Sequence, residues 1–564
     1  MLIGFASCSG TDPGGLLITG STAKASGRAN SSLSGNYLAA RQASRDRDAA
    51  SAEIFYARAM SQDPGNKDIR LRSFLLAVTS GNMPKAKMLA KAVIKDDPDN
   101  RAARLVLALG ELKAGRYKKA REWLEVKNAA SHELASTLLT AWSWQGEGNI
   151  DEAVRILKRL EATRAFSYFE NYHMALVKSF AGDTDEIEKR FRSAYVSSGG
   201  SLRVVLNYGN FEERRGKVEA ARKLYKDFIR TVSRHPLVLA ALKKAGKTKK
   251  PELLIKTAQQ GAAEALYGIA SQLSSSAGAD LATLYLQLAL YVNPDFPLAR
   301  LLLADIYENH KDPARALGAY NQIDADSPLR MEADIQAALN LDRMNRTNEA
   351  RRRLKKIIRA YPDELRPKIA LGNMLRGRQR YAEAKLSYSR AIASIKKPEK
   401  SHWRLFYNRG VCNERTRNWD AAEKDLKMAL KLNPDQPLVL NYLGYSWVER
   451  KKNLKQAMDM IRKAVDLRPN DGFIIDSLGW AHYQLGEWKQ AVRKLERAVE
   501  LQPDDPVIND HLGDAYWRAG RELEARFQWT HARDMKPRPD VLKKIEAKLK
   551  SGLTAPKQKN AEAK

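Results

Sequence analysis

Prolines recur along this chain at an interval that strongly restricts its fold. Pro64 and Pro98 are 34 residues apart and close similar phrases, and Pro294, Pro328 and Pro362 are again separated by steps of 34. A fixed period of this length indicates a short structural unit repeated many times, rather than a few large independent domains. The 564 residues are therefore expected to form an array of repeats.

Small residues occupy two further positions in the period. One lies 12 residues before the proline and is an alanine in Ala52, Ala86, Ala282, Ala316 and Ala350. The other lies about 12 residues earlier still and becomes a glycine late in the chain, in Gly372, Gly410, Gly444, Gly479 and Gly513. We interpret each unit as two antiparallel helices that approach closely at these small residues. Proline ends the second helix because it lacks an N–H donor.

The last unit carries the fullest pattern, which consists of Leu512, Gly513, Tyr516, Gly520, Ala525, Trp529, Ala532 and Pro537. This pattern resembles the tetratricopeptide (TPR) repeat. Fourteen copies fit, starting near residues 33, 67, 101, 134, 168, 202, 263, 297, 331, 365, 403, 437, 472 and 506. The resemblance implies an all-α TPR α-solenoid, a right-handed superhelix of about 14 helix-turn-helix repeats in which each pair is stabilised by its neighbours.

The quality of the fit varies along the chain and suggests a division into segments. We predict a truncated lipoprotein-signal-like segment (1–8), a flexible linker (9–32), an N-terminal degenerate TPR array (33–235), an irregular connector (236–262), a central TPR array (263–394), an insertion (395–402), a C-terminal consensus-like array (403–539), a capping helix (540–550) and a disordered basic tail (551–564).

Composition excludes some kinds of site and leaves the charge open to two interpretations. Two cysteines cannot form a disulfide framework, and the eight histidines lack metal-binding spacing. The 97 Lys and Arg residues exceed the 66 Asp and Glu residues, giving a net charge of +31. Basic clusters on the second helices would attract anionic lipid or envelope polymers. Alternatively, they form a solvated face that keeps a long solenoid soluble.

The N-terminal residues Met-Leu-Ile-Gly-Phe-Ala-Ser-Cys resemble the end of a bacterial lipoprotein signal. The resemblance implies that Cys8 is lipidated and anchors the chain to a membrane, and the Gly- and Ser-rich residues 9–32 would act as a tether. The alternative is an ordinary apolar N-terminus with an incidental cysteine. On the first interpretation the protein faces the periplasm from a membrane, with the outer membrane expected. On the second, a cytoplasmic location is open.

The sequence offers no convincing catalytic or cofactor-binding motif. Gly246-Lys247-Thr248 matches the end of a phosphate-binding loop, but no strand precedes it and Ala241 replaces the first glycine. Cys412 is expected to be a buried small side chain, and His482 is expected to pack between repeats. Because the repeats occupy nearly all residues from 33 to 537, we expect no enzyme activity and no bound cofactor or metal.

The resemblance also implies where a partner would bind. In peptide-binding TPR proteins, positions 2, 5, 9, 12 and 13 of each first helix line a concave groove. From these positions we select Tyr407, Asn441, Tyr445, Asp476, Trp480, Tyr483, Asp510, Asp514 and Trp517 as the candidate partner-binding groove. Aromatic side chains are frequent binding hot spots, and the carboxylates could meet basic groups or N–H donors. Alternatively, these residues line a solvated groove or touch the next repeat.

The C-terminal phrases around Asn441, Asp476 and His511 resemble TPR lipoproteins of the Gram-negative cell envelope. The resemblance implies a non-catalytic scaffold or adaptor for a protein or peptide, such as an envelope protease or a cell-wall hydrolase. Two alternatives stay open, a cytoplasmic chaperone-like module and a helical-repeat protein that binds nucleic acid. Nucleic acid is the less expected ligand because the predicted groove is rich in acids.

Overall fold

A computed structural model of the protein describes residues 32–125, 134–182, 184–274 and 277–554. In these residues the secondary structure is entirely helical, with thirty α-helices, three short 3-10 helices and no strand. The chain divides into two compact units, residues 1–350 (unit 1) and 351–564 (unit 2). The predicted all-α class is confirmed. The division falls inside the predicted central array.

The helices up to the unit boundary are α1 (Leu33–Arg45), α2 (Ala49–Gln62), α3 (Lys67–Thr79), α4 (Met83–Asp96), α5 (Arg101–Lys113), α6 (Tyr117–Leu124), α7 (Leu134–Gly146), α8 (Ile150–Leu157), α9 (Ser167–Lys178), α10 (Asp185–Ser197), α11 (Leu202–Arg214), α12 (Val218–Thr231), α13 (Pro236–Lys244), α14 (Ala258–Leu273), α15 (Ala279–Val292), α16 (Pro297–Asn309), α17 (Pro313–Asn321) and α18 (Arg330–Arg343). Two of the 3-10 helices, Lys158–Ala162 and Arg164–Phe166, lie between α8 and α9.

Helix α19 (Thr347–Ala360) contains the unit boundary. The helices that follow it are α20 (Leu365–Gly377), α21 (Tyr381–Ala393), α22 (Trp403–Arg415), α23 (Trp419–Leu432), α24 (Pro437–Glu449), α25 (Leu454–Leu467), α26 (Gly472–Gln484), α27 (Trp488–Leu501), α28 (Pro506–Arg518), α29 (Glu522–Asp534) and α30 (Pro539–Ser551). The third 3-10 helix, Lys400–His402, precedes α22.

The helices follow the predicted repeats closely. Each predicted start coincides, within one residue, with the start of a first helix, except that α14 begins at Ala258, five residues before the predicted 263. The two helices of a repeat pack against each other, as α26 does with α27 and α28 with α29. Two helices fall outside this pairing: α13 lies within the predicted connector, and α30 covers the predicted capping helix and contacts α29.

Small residues allow the two helices of each C-terminal repeat to approach. A Cβ added to Gly479 would lie 2.6 Å from Leu495 Cγ, and one added to Gly513 would lie 2.5 Å from the Trp529 ring and 3.1 Å from the carbonyl oxygen of Ala525. The glycine of the first helix therefore faces two residues of the second. One is the predicted alanine, and the other is a large side chain four residues after it. The sequence pattern predicts only the two small residues of this contact. The structure shows that a large side chain of the second helix is also part of it.

We predict that Gly479→Ala lowers the free energy of unfolding of the protein by about 1 to 3 kcal/mol, because the added methyl overlaps Leu495. Gly377→Ala is the matched control, since no heavy atom lies within 4 Å of its added Cβ. Alanine is the better helix former, so the control should be neutral or slightly stabilising. Urea denaturation followed by circular dichroism measures both changes, and equal midpoints for the two variants would contradict the packing account.

Candidate functional site

Unit 1 covers the face of its own first helices. Helix α14 packs against α5, α7 and α9, and α15 packs against α3 and α5, so a later repeat lies across several earlier ones. Trp142 of α7 is fully buried, and its ring lies against Gly261 of α14, where a Cβ would come within 2.2 Å. The inner side of these repeats is therefore part of the core of unit 1.

A buried polar cluster fixes this packing. The Glu264 carboxylate on α14 accepts hydrogen bonds from Arg203 Nη2 at 2.7 Å and from the Tyr172 hydroxyl at 2.8 Å. Nearby, Trp142 Nε1 donates to His173 Nδ1 at 3.0 Å. Burial lowers the pKa of His173 to about 4, so the ring is neutral at physiological pH and can accept this bond. Because buried charges are costly unless paired, this cluster specifies how α14 seats on the earlier repeats.

In unit 2 the face of the first helices carries a row of aromatic side chains. The first helices of adjacent repeats are neighbours, since α20 contacts α22, α24 contacts α26 and α26 contacts α28. Tyr407, Tyr445, Trp480, Tyr483 and Trp517 are all half-buried, so each has both packed and accessible surface. We call Tyr407, Asn441, Tyr445, Trp480 and Tyr483 the aromatic face.

Trp480 is the most highly connected residue of the aromatic face. Its ring stacks on Tyr483, with centroids 4.5 Å apart, and on His511 of the next repeat, with centroids 4.0 Å apart. Its Nε1 donates to Glu449 of the preceding repeat at 2.5 Å. One tryptophan therefore links three repeats while part of its surface stays accessible to solvent.

Tyr407 and Tyr445 continue the face toward earlier repeats. Tyr407 lies edge-on to Tyr442, with ring centroids 5.8 Å apart, and the Tyr442 hydroxyl donates to Glu414 at 2.8 Å. Burial raises the pKa of Tyr445, and the nearby Glu449 and Asp476 carboxylates add to this effect. The Tyr445 hydroxyl therefore remains protonated at neutral pH and can donate a hydrogen bond.

Asn441 is the polar residue of the aromatic face, and its side-chain oxygen is buried without a hydrogen-bond partner in the described part of the chain. The residue as a whole is half-buried. Buried acceptors are nearly always satisfied in folded proteins, and an unsatisfied one indicates a missing partner or a functional role. The oxygen is shielded from solvent, so a ligand N–H would reach it only after the Asn441 side chain rotates outward.

The three predicted groove carboxylates meet basic groups, but these groups belong to the same chain. Asp476 lies 2.8 Å from His511 Nδ1. Asp510 and Asp514 both accept from Lys548 Nζ of α30, at 2.8 and 2.7 Å. All three aspartates are buried residues. In this arrangement they link adjacent helices and are not accessible to a second protein.

Trp517 lies at the end of the row, where the chain after α30 covers it. Its ring packs on Trp529 with centroids 5.4 Å apart, and Gly552 sits so close that an added Cβ would lie 2.0 Å from the ring. Arg518 Nη2 donates to the carbonyl oxygen of Thr554 at 2.6 Å. Of the predicted groove residues, Trp517, Asp510 and Asp514 therefore form the contact with the C-terminal segment.

Sequence reasoning missed the residues that hold the predicted ones in place. Tyr442, His511 and Lys548 each pair with a predicted site residue or its neighbour. The sequence does contain a pattern that points to His511 and Lys548. Each lies about one repeat period after an aspartate, Asp476 for His511 and Asp514 for Lys548. The position of Cys8, the predicted lipidation site, lies outside the described residues.

Other chemistry is limited in the described part of the chain. Its histidines, cysteine and carboxylates form no cluster of three or more that could hold a metal ion. Cys412 is fully buried, as predicted, and burial raises the pKa of its thiol to about 11. A thiol in that state is a poor nucleophile at neutral pH. None of the described helices has both the length and the apolar character required to cross a bilayer.

The repeat geometry agrees with comparisons to known families. A tetratricopeptide repeat profile matches residues 71–132, 281–329, 335–398, 369–437 and 414–472, and a second TPR repeat profile matches residues 479–520. The chain is a tetratricopeptide repeat protein. Tetratricopeptide repeat proteins are generally non-catalytic scaffolds, and the fold of this TPR protein supports a role in protein–protein interaction.

One curated relative shares part of this TPR protein. A TPR repeat-containing protein of Pseudomonas aeruginosa is 30% identical over 190 residues, which cover 34% of this chain and 31% of the relative. The chain thus matches about a third of the length of that relative.

Solved TPR structures resemble the chain over most of its length but only loosely. The APC/C hetero-tetramer Cut9-Hcn1 gives a TM-score of 0.38 at 15% identity, covering 93% of this chain and 96% of that chain. Yeast Tom70 gives 0.34 at 13% identity, covering 92% and 95%. Both scores are below 0.5, so the fold assignment depends on the helix pairs and the family matches.

We predict that Asp476→Asn lowers the pKa of His511 in this TPR protein. Burial, the largest single effect, lowers that pKa, but the Asp476 carboxylate, with smaller contributions from Asp510 and Asp514, holds the value above the ordinary 6.5 or so. The charged ring therefore stabilises the fold below about pH 6.5, and this contribution is lost as pH rises through the raised pKa. Histidine-detected NMR titration measures the shift.

The matched control is Asp466→Asn, which removes an exposed carboxylate from α25. It should leave the His511 titration unchanged. If the pKa of His511 is the same in both variants, Asp476 does not stabilise the protonated form of the imidazole ring.

Proposed function

We propose that this protein is a non-catalytic scaffold that binds a polypeptide segment across the aromatic face. The observation that carries the proposal is the row of half-buried rings on neighbouring first helices, each with accessible surface. Unit 1 offers no comparable face on the repeats that α14 and α15 cover. The face on unit 2 is therefore the better candidate for protein binding.

The chemistry of the aromatic face suits an extended or helical peptide. Rings held by stacking, such as Trp480 between Tyr483 and His511, lose little conformational freedom when a ligand covers them. The Asn441 amide can engage the peptide backbone once its side chain rotates outward, and the Tyr445 hydroxyl can engage a carbonyl oxygen. Apolar contact with defined polar groups at its edges is the usual composition of a protein-binding hot spot.

The first test is an affinity measurement on selected peptides. We select ligands for the full chain from a random peptide library displayed on phage, then measure their binding by fluorescence anisotropy. Tyr445→Ala should weaken binding by about 2 kcal/mol, as expected for an aromatic hot spot. Asn441→Ala should weaken it by about 1 kcal/mol through the lost hydrogen bond.

Tyr361→Ala is the matched control, because Tyr361 is an exposed tyrosine of unit 2 outside the aromatic face. It should bind the selected peptides as the wild type does. Circular dichroism confirms that all variants are folded. Peptides that bind Tyr445→Ala and wild type equally would place the binding site elsewhere.

We also propose that the protein is anchored by lipid at Cys8 in a bacterial cell envelope, where it serves as an adaptor for a processing protease or a cell-wall hydrolase. Support comes from the apolar run that ends at Cys8 and from the Gly- and Ser-rich residues 9–32. A tether of this composition would span about 25 to 30 Å. That length would hold the repeats near a membrane surface.

Detergent-phase partitioning tests the anchor separately from peptide binding. The protein, expressed from its natural reading frame, should enter the Triton X-114 phase, and Cys8→Ala should return it to the aqueous phase. Cys412→Ala is the control, because it removes the other, buried cysteine and should leave partitioning unchanged. Equal partitioning of wild type and Cys8→Ala would contradict lipidation at this residue.

A further inference from the structure

Unit 1 contains an open cleft of about 760 Å³, distinct from the aromatic face. The turn between α3 and α4, the end of α5, and helices α15, α16 and α17 all contribute to its walls. Leu290 and Leu303 supply apolar surface, and Tyr291 and Tyr307 supply aromatic surface. The volume lies within the usual range of about 300 to 1,000 Å³ for ligand sites.

The walls of the cleft carry positive charge alone. Lys113, Arg300 and Arg315 contribute to the lining, and none of the described residues that line it is an aspartate or a glutamate. Arg315 forms a salt bridge with Asp312, just outside the lining. Lys113 and Arg300 are therefore the two cations of the lining that have no salt-bridge partner in the described residues.

Lys113 and Arg300 donate hydrogen bonds only to neutral groups. Lys113 Nζ donates to the carbonyl oxygen of Tyr291 at 2.6 Å. Arg300 donates to the carbonyl oxygen of Pro294 at 2.7 Å and to the Gln322 side chain. Neither side chain forms a salt bridge within the described residues. Burial lowers the pKa of Arg300, and the Asp324 and Asp295 carboxylates oppose this effect from a longer distance. Carbonyl oxygens hold both groups in position without neutralising them, and a cation so placed retains donors for an anion.

We propose that this cleft binds a carboxylate-rich segment of a partner protein. Its acidic side chains pair with Lys113 and Arg300, and its apolar side chains pack on Leu290 and Leu303. Charge-assisted hydrogen bonds are stronger than neutral ones and fix register and orientation. The site goes beyond the proposed function of the aromatic face, because it lies in unit 1 and selects a ligand by charge.

The aromatic rings in the cleft argue against a nucleic acid as the ligand. Single strands bind by stacking bases on open aromatic faces beside basic groups. Here Lys113 Nζ lies 4.3 Å from the centroid of the Tyr291 ring, and the Arg315 guanidinium lies 4.6 Å from that of Tyr307. Cations already cover one face of each ring, so the cleft presents charge and apolar surface in place of stacking platforms.

The test uses a fluorescein-labelled octapeptide of alternating Asp and Leu, with its Asn-Leu counterpart as the uncharged probe. The full chain should bind the acidic peptide at least about tenfold more tightly than the neutral one, and the difference should shrink with added salt. The double variant Lys113→Gln, Arg300→Gln should weaken binding of the acidic peptide by about tenfold.

The matched control is Lys223→Gln, Lys226→Gln, which removes two exposed lysines from α12 of the same unit. It should bind the acidic peptide as the wild type does. A second variant, Gly318→Leu, fills the cleft without changing charge, since no heavy atom lies within 4 Å of an added Cβ there. It should also weaken binding of the acidic peptide, and circular dichroism checks its fold.

Three results would overturn the proposal. The first is equal affinity for the Asp and Asn peptides. The second is an equal loss of affinity in the cleft variant and the α12 control, which would indicate attraction by net charge alone. The third is displacement of the acidic peptide by poly(U) RNA at equal concentration, which would favour a nucleic-acid site. Tyr445→Ala should leave this binding unchanged, so the test is independent of the aromatic face.

Discussion

The short distance between the two helix backbones of each repeat is the constraint on which the structure depends. In the C-terminal repeats a glycine of the first helix faces a large side chain of the second, as Gly479 faces Leu495 and Gly513 faces Trp529. The large residue fills the space that the glycine leaves, so the contact excludes both a bigger first residue and a smaller second one. Because stability in such arrays sums over repeats and their neighbours, this local contact positions every first helix that carries a candidate site.

The first-helix faces are buried in part of unit 1 and partly accessible in unit 2. In unit 1, α14 and α15 cover the face of α3, α5, α7 and α9, and the buried Glu264 with its Arg203 partner fixes that arrangement. In unit 2, part of each ring on the aromatic face stays accessible. The same repeat therefore builds a closed core in one unit and an accessible surface in the other. The closed core combines apolar packing, such as that of Trp142 on Gly261, with the Glu264–Arg203 pair.

The sequence predicted the repeats well because their period reflects local packing, and thirteen of the fourteen predicted starts agree with the structure within one residue. It could not predict the seating of α14, because Tyr172 and Glu264 are 92 residues apart and no pattern joins them. The site was predicted only in part. The repeat positions that line a TPR groove select Asp510 and Asp514. They do not show that both carboxylates already form salt bridges with Lys548.

The central claim is that a polypeptide binds on the aromatic face. NMR of the full chain, with labelled tryptophan and asparagine side chains, tests it most directly during titration with a selected peptide. The account predicts saturable shifts of the Trp480 indole N–H and the Asn441 side-chain amide, with the indole of Trp142, buried in unit 1, unchanged. Saturable binding that leaves both Trp480 and Asn441 unshifted would contradict it.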